Sequence, residues 1–218
     1  MGWVAMPQLV AATSNAGAFG FLALATAGPQ EAIEMIDETM SLTDKPFGVN
    51  FHMFQPGADE IVQAVLDKKI KAVCVVHNET STGSISRIKE VREAINSANH
   101  NALLMVDSIS GLASLEYKHD EWGVDVTVSG SQKGLMLPPG LSFNAISEKA
   151  LLASNENSMK RSYWDWKEQI QSNKQGSFPY TPATNLLYGL KEAIDMLHEE
   201  GLENVFKRHD RHAQATRV

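Results

Sequence analysis

A single cysteine, Cys74, stands among the 218 residues, so no disulfide can close within the chain. It lies in the apolar run Ala72–Val76 and reads as a small core residue, not as a nucleophile. No apolar run is long enough to cross a bilayer, and the first residues lack the basic region of a signal peptide. Met6 stands where a myristoylation signal needs Ser or Thr. An excess of positive charge is missing too. The net charge is −7, which argues against nucleic acid or an anionic membrane surface as partner. These absences describe a cytoplasmic chain in a reducing compartment. His209 and His212, with Asp210 between them, are the one pattern that suggests a metal; no further ligand is placed, so they read as a solvated polar face, with no metal expected.

The chain is organised around Val124–Gly140, with Lys133 at its centre. Val124 to Val128 alternates among β-branched types, as a strand does, and Ser129-Gly130-Ser131 breaks the pattern. Lys133 therefore sits just beyond a strand's carboxyl end, where open parallel sheets bind ligands. A lysine desolvated there can condense with an aldehyde; the plain alternative is a solvated loop lysine. Ala102–Asp107 is a short apolar run ending in a carboxylate, the mark of a buried strand with an acid at its tip. Asp107 and Lys133 could thus end at one edge of one sheet. Pyridoxal phosphate needs that pair: an amine for its aldehyde, and an acid that keeps its ring nitrogen protonated. The alternative for Asp107 is a turn or helix cap.

Four stretches extend this reading: Val76–Gly83 (VHNETSTG), Leu104–Leu112 (LMVDSISGL), His119–Gly140 (HDEWGVDVTVSGSQKGLMLPPG) and Phe178–Gly189 (FPYTPATNLLYG). In this order they resemble the class V pyridoxal-phosphate aminotransferases, most closely the serine–glyoxylate and alanine–glyoxylate group. The resemblance implies that Lys133 is the Schiff-base lysine and Asp107 the partner of the ring nitrogen. It implies that Thr80 contacts the cofactor near its ring hydroxyl, that Gln132 lies beside it, and that Thr181 reaches the phosphate held by the neighbouring subunit. The expected substrates are an amino acid and a glyoxylate-type 2-oxo acid, and the expected assembly is a homodimer, with the aromatic stretch Arg161–Trp166 near its interface.

The first sixty-odd residues read differently. Pro7 opens a short helix that stops at Gly17, Gly20–Leu24 and Pro46–Phe51 read as strands, and helices follow at Pro29–Met40 and Ala58–Asp67. Met1–Phe21 and Lys45–Asn50 (KPFGVN) resemble the opening of a nitronate monooxygenase, a flavin-dependent (β/α)8 barrel. Met1 and Asn50 are the positions that match residues near the flavin there. Everything after the third unit of such a barrel is absent, so FMN binding is not expected. The two resemblances meet around Asp67–Val73, and the chain reads as chimeric: 1–68 nitronate-monooxygenase-like, 69–218 an aminotransferase large-domain fragment. The expected fold is α/β, a partial large domain with a mostly parallel sheet and helices on both faces, preceded by a piece of barrel. Residues 1–67 supply neither the glycine-rich helix start that would bind the cofactor phosphate nor an aromatic to stack on its ring. The arginine that the family uses for the substrate carboxylate has no counterpart, Arg217 being wrongly placed.

Elsewhere the pattern is ordinary. Ser84–Ala98 reads as a helix with Ile85, Ile88, Val91 and Ile95 on one face. Leu141–Ile146 reads as a strand and Ser147 as the cap of a helix over 148–154. A long helix follows Thr181-Pro182 and buries Leu186, Leu187, Leu190, Ile194 and Leu197; Gly201–Val218 is helical in period. Two functions follow: a transaminase in which Lys133 also moves the substrate proton, incomplete and inactive as the chain stands, or a non-catalytic chimeric fragment. A flavoprotein is the third possibility.

Overall fold

The computed structural model describes residues 5–24, 26–51, 55–67, 71–156 and 161–217, with the side chains of 66 and 67 left aside. Met1 lies outside these residues, as do Lys68 to Ile70 of the expected junction.

The chain opens with α1 (Pro7–Asn15), β1 (Phe21–Ala23), α2 (Pro29–Leu42), β2 (Gly48–Asn50) and α3 (Ala58–Asp67). Proline at the first helical position starts α1 and α2, where its missing amide hydrogen costs nothing. Then come β3 (Ala72–Val76), a small hairpin of β4 (Asn78–Glu79) and β5 (Ser84–Ile85), α4 (Ile88–Ser97), β6 (Leu103–Asp107), β7 (Val126–Gly130) and β8 (Ser142–Ile146). The last part is helical: α5 (Glu148–Asn155), a 3-10 turn at Ser162–Trp164, α6 (Trp166–Lys174), α7 (Thr184–Glu200) and α8 (Leu202–Thr216). Ser147 caps α5, accepting a hydrogen bond from the Ala150 amide.

Six strands form one sheet in the order β1-β2-β3-β6-β7-β8, every neighbouring pair parallel except β7–β8. This is the mixed α/β architecture, mostly parallel and flanked by helices, that the sequence led us to expect. The strand order never reverses, so right-handed crossovers place successive helices on one face. Register agrees: Val49 pairs with Val73, Val73 with Leu104 and Val75 with Val106, and these residues meet α3 and α4. On the other face Trp166, at the start of α6, donates to the Asn144 carboxamide oxygen at 3.3 Å.

Three apolar cores result. The first gathers Leu22, Leu24, Ile36, Val49 and Ile61, the second Val75, Ile88, Ile95, Leu104 and Val106, and the third Leu137, Ala193, Leu197 and Val205. Each fully buried leucine or isoleucine contributes roughly 1.5–3 kcal/mol. The first two cores join thinly. Among the described residues β2 and β3 share one paired position, whereas β3 and β6 share five. An apolar cavity of about 60 Å³ lies along that seam, lined by Val49, Phe51, Val65, Val73, Val91 and Ile95 among others.

Two expectations fail in detail. Ser84 and Ile85 are not helical: they pair with Glu79 and Asn78, and the helix begins three residues later at Ile88. Ile85 is half exposed, because the hairpin stands off the sheet; its spacing of three from Ile88 imitated a helical stripe. Ile194 of α7 is also exposed, at 39%; Ala193 and Leu197 take the buried face instead.

At the edge where the parallel strands begin, Asp125 acts as a tie. Its Oδ2 accepts from the Leu104 amide at 2.8 Å and from Arg92 Nη2 at 2.5 Å. Its Oδ1 accepts from Ser147 Oγ at 2.9 Å, and the Lys149 ammonium stands 3.9 Å from Oδ2. One buried carboxylate thus joins α4, β6, β7 and the start of α5.

Candidate active site

The opposite edge, where the parallel strands end, carries most of the residues singled out from the sequence. Asp107 is the last residue of β6, paired with Val76 of β3 and Val128 of β7. Its backbone oxygen accepts from the His77 amide at 2.8 Å, and the next residue, Ser108, donates its amide to the Val128 carbonyl at 2.9 Å. The carboxylate itself is exposed, and Oδ1 accepts from the Ile109 amide at 2.9 Å. The turn-capping alternative is therefore part of what Asp107 does, and Oδ2 remains for something else.

Lys133 follows β7 by three residues, in a loop that closes on itself. Ser131, wholly buried, donates its amide to the Leu141 carbonyl at 3.1 Å, and its backbone oxygen takes the Leu137 amide at 3.1 Å. Its hydroxyl oxygen accepts from the Leu141 amide at 3.2 Å and donates to the Pro138 carbonyl at 2.7 Å. The Met136 amide reaches back to the Lys133 carbonyl at 2.9 Å, with Met136 at φ 61°. The loop rests directly on the segment after Asp107: a Cβ at Gly134 would lie 2.2 Å from the Leu112 carbonyl oxygen and 2.7 Å from Ser114 Oγ. Only glycine permits that approach. The lysine loop and the aspartate turn are thereby fastened together.

Lys133 is exposed, and its ammonium makes no hydrogen bond or ion pair among the described residues. The desolvation weighed for it is not built into the described residues, and as it stands it is a solvated loop lysine. Gln132 folds back toward the strand end, its Oε1 lying 2.7 Å from where a Cβ on Gly130 would be. Thr80 stands on the β4–β5 hairpin and crosses to the aspartate turn, its Oγ1 2.5 Å from Ser110 Oγ. Thr181, exposed just before α7, makes no hydrogen bond to these four among the described residues. Asn50 ends β2 at this same edge and is exposed.

Beneath the edge lies a residue to which the sequence gave no role. His77 is 3% exposed, in ring contact with Tyr117 at 5.2 Å and Trp122 at 6.1 Å. Burial lowers its pKa from the ordinary 6.5, so the ring is neutral near pH 7. Its Nδ1 has no hydrogen-bond partner, and a Cβ at Gly111 would lie 2.5 Å from it. Burial also pushes the Tyr117 phenol to about 12 against the opposing pull of its hydrogen bond to Thr127, and the Cys74 thiol to about 12, which leaves that thiol inert. No group of three or more His, Cys, Asp or Glu that could hold a metal occurs among the described residues, and no described helix is long and apolar enough to cross a membrane.

The fold is that of an α/β protein with a mostly parallel sheet, and its amine and carboxylate stand at the strand ends where open sheets of this kind bind ligands. The comparisons make the class specific. Residues 52–217 match the family model described as aminotransferase class-V, and the chain belongs to that family, which depends on pyridoxal phosphate. It is 52% identical over 164 residues to the serine–glyoxylate aminotransferase of Methylorubrum extorquens, an alignment covering 73% of this chain and 41% of that protein. It is 52% identical over 152 residues to that of Hyphomicrobium methylovorum, covering 69% and 38%. Among solved structures, the alanine–glyoxylate aminotransferase of Nostoc sp. superposes with a TM-score of 0.69 at 25% identity, over 97% of this chain and 57% of that one. The alignments therefore span about two fifths of the length of these curated relatives.

Proposed function

We propose that the edge formed by Lys133 and Asp107 takes pyridoxal 5'-phosphate, as the centre of a transaminase of the serine/alanine–glyoxylate type. One observation carries this: neighbouring parallel strands deliver an amine and a carboxylate to one edge, with their loops fastened where Gly134 meets Leu112. When bound, the cofactor supplies an aldehyde and an electron-withdrawing ring. Lys133 contributes the amine that holds it, and the same amine moves a proton at the substrate's Cα. The free Oδ2 of Asp107 holds the proton on the ring nitrogen, while Ile109 fixes the carboxylate through Oδ1. The Thr80 hydroxyl would contact the cofactor near its ring hydroxyl, and Gln132 would lie beside it. Thr181 belongs to the site of a second copy, which makes the working unit a homodimer. The substrates are an amino acid and a glyoxylate-type 2-oxo acid.

The same reading divides the chain near residue 68, with a nitronate-monooxygenase-like segment before it and the aminotransferase part after it. In support, the seam between β2 and β3 has one described pair and a cavity, and the family match leaves out residues 1–51, although its start at residue 52 takes in α3 on the near side of the division. The likeness of the Nostoc enzyme over 97% of the chain weighs the other way, since its sheet accommodates the early strands as well. The first segment offers a poor phosphate cradle, because α1 and α2 both begin with proline, which has no amide hydrogen to donate. Cofactor binding is accordingly weak and turnover absent for this chain alone.

The test is absorption on mixing with pyridoxal phosphate, followed by borohydride and peptide mapping. A visible band, made permanent on Lys133 and lost in Lys133→Ala, is expected. No band at all would leave the non-catalytic reading standing; yellow FMN released on denaturation would favour the flavoprotein.

A further inference from the structure

We infer that Ser110 is a positioning residue that aims the Thr80 hydroxyl at an anionic oxygen of the bound molecule; this rests on the pyridoxal-phosphate reading above. Thr80 and Ser110 come from different elements, the β4–β5 hairpin and the turn after β6, yet their hydroxyl oxygens are 2.5 Å apart. Two hydroxyls so close share one hydrogen, and the other points outward. If Ser110 donates to Thr80, the hydrogen of Thr80 is the free one, and an anion at Thr80 selects that arrangement and strengthens both bonds.

The half-buried Ser110 has little freedom to do otherwise. On one side the Ile109 amide is held by Asp107 Oδ1 at 2.9 Å. On the other the Gly111 amide donates to the Ser108 carbonyl at 3.0 Å, and Gly111 lies against the buried ring of His77. The Thr80 side is braced as well: the Gly83 amide donates to the Glu79 carbonyl at 2.7 Å, and the Ser81 amide and hydroxyl both donate to Glu79 Oε1, at 2.9 and 2.7 Å. The bond therefore joins two prearranged turns, and the turn that holds the Asp107 carboxylate also fixes the Thr80 hydrogen.

The experiment is a double-mutant cycle on the full chain with pyridoxal phosphate as the probe, comparing Ser110→Ala, Thr80→Val and the pair. Affinity is read from the visible band, together with the pH at which that band changes form. Ser110→Ala is expected to weaken binding roughly threefold to tenfold, the worth of one hydrogen bond. It should also move the band's pH midpoint upward, because the ring oxygen loses stabilisation. The double variant should be no worse than Thr80→Val alone, and Ser110→Thr should restore the wild-type midpoint. Additive effects, an unmoved midpoint in Ser110→Ala, or failure of the threonine to restore it would each overturn the inference while leaving the cofactor reading intact. A wild-type chain with no band would overturn the cofactor reading, and this inference with it.

Discussion

Asp107 and Asp125 stand at opposite edges of the same sheet, and their surroundings differ in kind. Asp125, 7% exposed in its side chain, spends both oxygens inside the protein, on Arg92, Ser147 and the Leu104 amide. Asp107 is exposed and gives one oxygen to the Ile109 amide. A carboxylate whose lone pairs are all engaged by its own chain is a fastening; one that keeps an oxygen at a strand's carboxyl end is open to a ligand. Stability should therefore follow the first and binding the second.

Replacing Asp125 tests this most severely. Asp125→Ala strands a guanidinium that is 13% exposed and leaves the Leu104 amide without its side-chain acceptor, which should cost about 3–5 kcal/mol in urea unfolding. Asp107→Ala loses one hydrogen bond in water-accessible surroundings and should cost about 1 kcal/mol, yet abolish the pyridoxal-phosphate band. Equal losses of stability would erase the distinction between the two edges.

Next in size is Gly134→Ala. The added methyl meets a backbone carbonyl, not a flexible side-chain end, so the lysine loop must shift away from Leu112. We expect a loss of about 1–3 kcal/mol and weaker trapping of Lys133 by borohydride. Lys133→Ala, by contrast, should leave the unfolding midpoint nearly unchanged, since its ammonium has no partner among the described residues. A marked loss of stability there would show that the lysine is a structural residue.

How much of this was written in the sequence depends on whether a signal was local. The end of β6 was legible because an apolar run that stops at Asp107 is a local pattern; β7 runs on through Ser129 and Gly130, two residues past the break in alternation, because its pairing with β8 holds them in the sheet. The role of Asp125 was not, because an acid before a strand looks the same whether Arg92 lies behind it or water does. Gly134 was one glycine among fifteen until the Leu112 carbonyl was placed against it. Helix α6, WKEQIQSNK, has too few apolar residues to show a period, and it passed unread. Ser147 was read correctly because a cap acts within three residues. The bond between Thr80 and Ser110 spans thirty positions and needed the fold.

A smaller effect concerns the seam between the first two cores. Val91→Ile adds one methylene to a side chain that lines the cavity, and should stabilise by about 0.5–0.8 kcal/mol. A stabilisation of that sign would identify the seam as a packing defect, and a loss would show that it is already filled.

The smallest effect bears on the aspartate edge from below. His77 is held neutral by burial, its folded pKa lying under the unfolded 6.5. As pH falls through 6.5 the unfolded chain therefore takes up a proton that the folded chain refuses, and stability falls with it until the folded pKa is reached. The slope is at most one proton per molecule for this residue. His209 is shifted in the same direction by partial burial and by Arg208, so it adds to the slope and must be separated. Urea unfolding of the wild type, His77→Gln and His209→Gln between pH 7 and pH 5 does this. The His77 variant should flatten the curve, and the His209 variant should leave the larger part of it. If His77→Gln keeps the full slope, the ring is not shielded as its burial implies, and the aspartate turn has no neutral support beneath it.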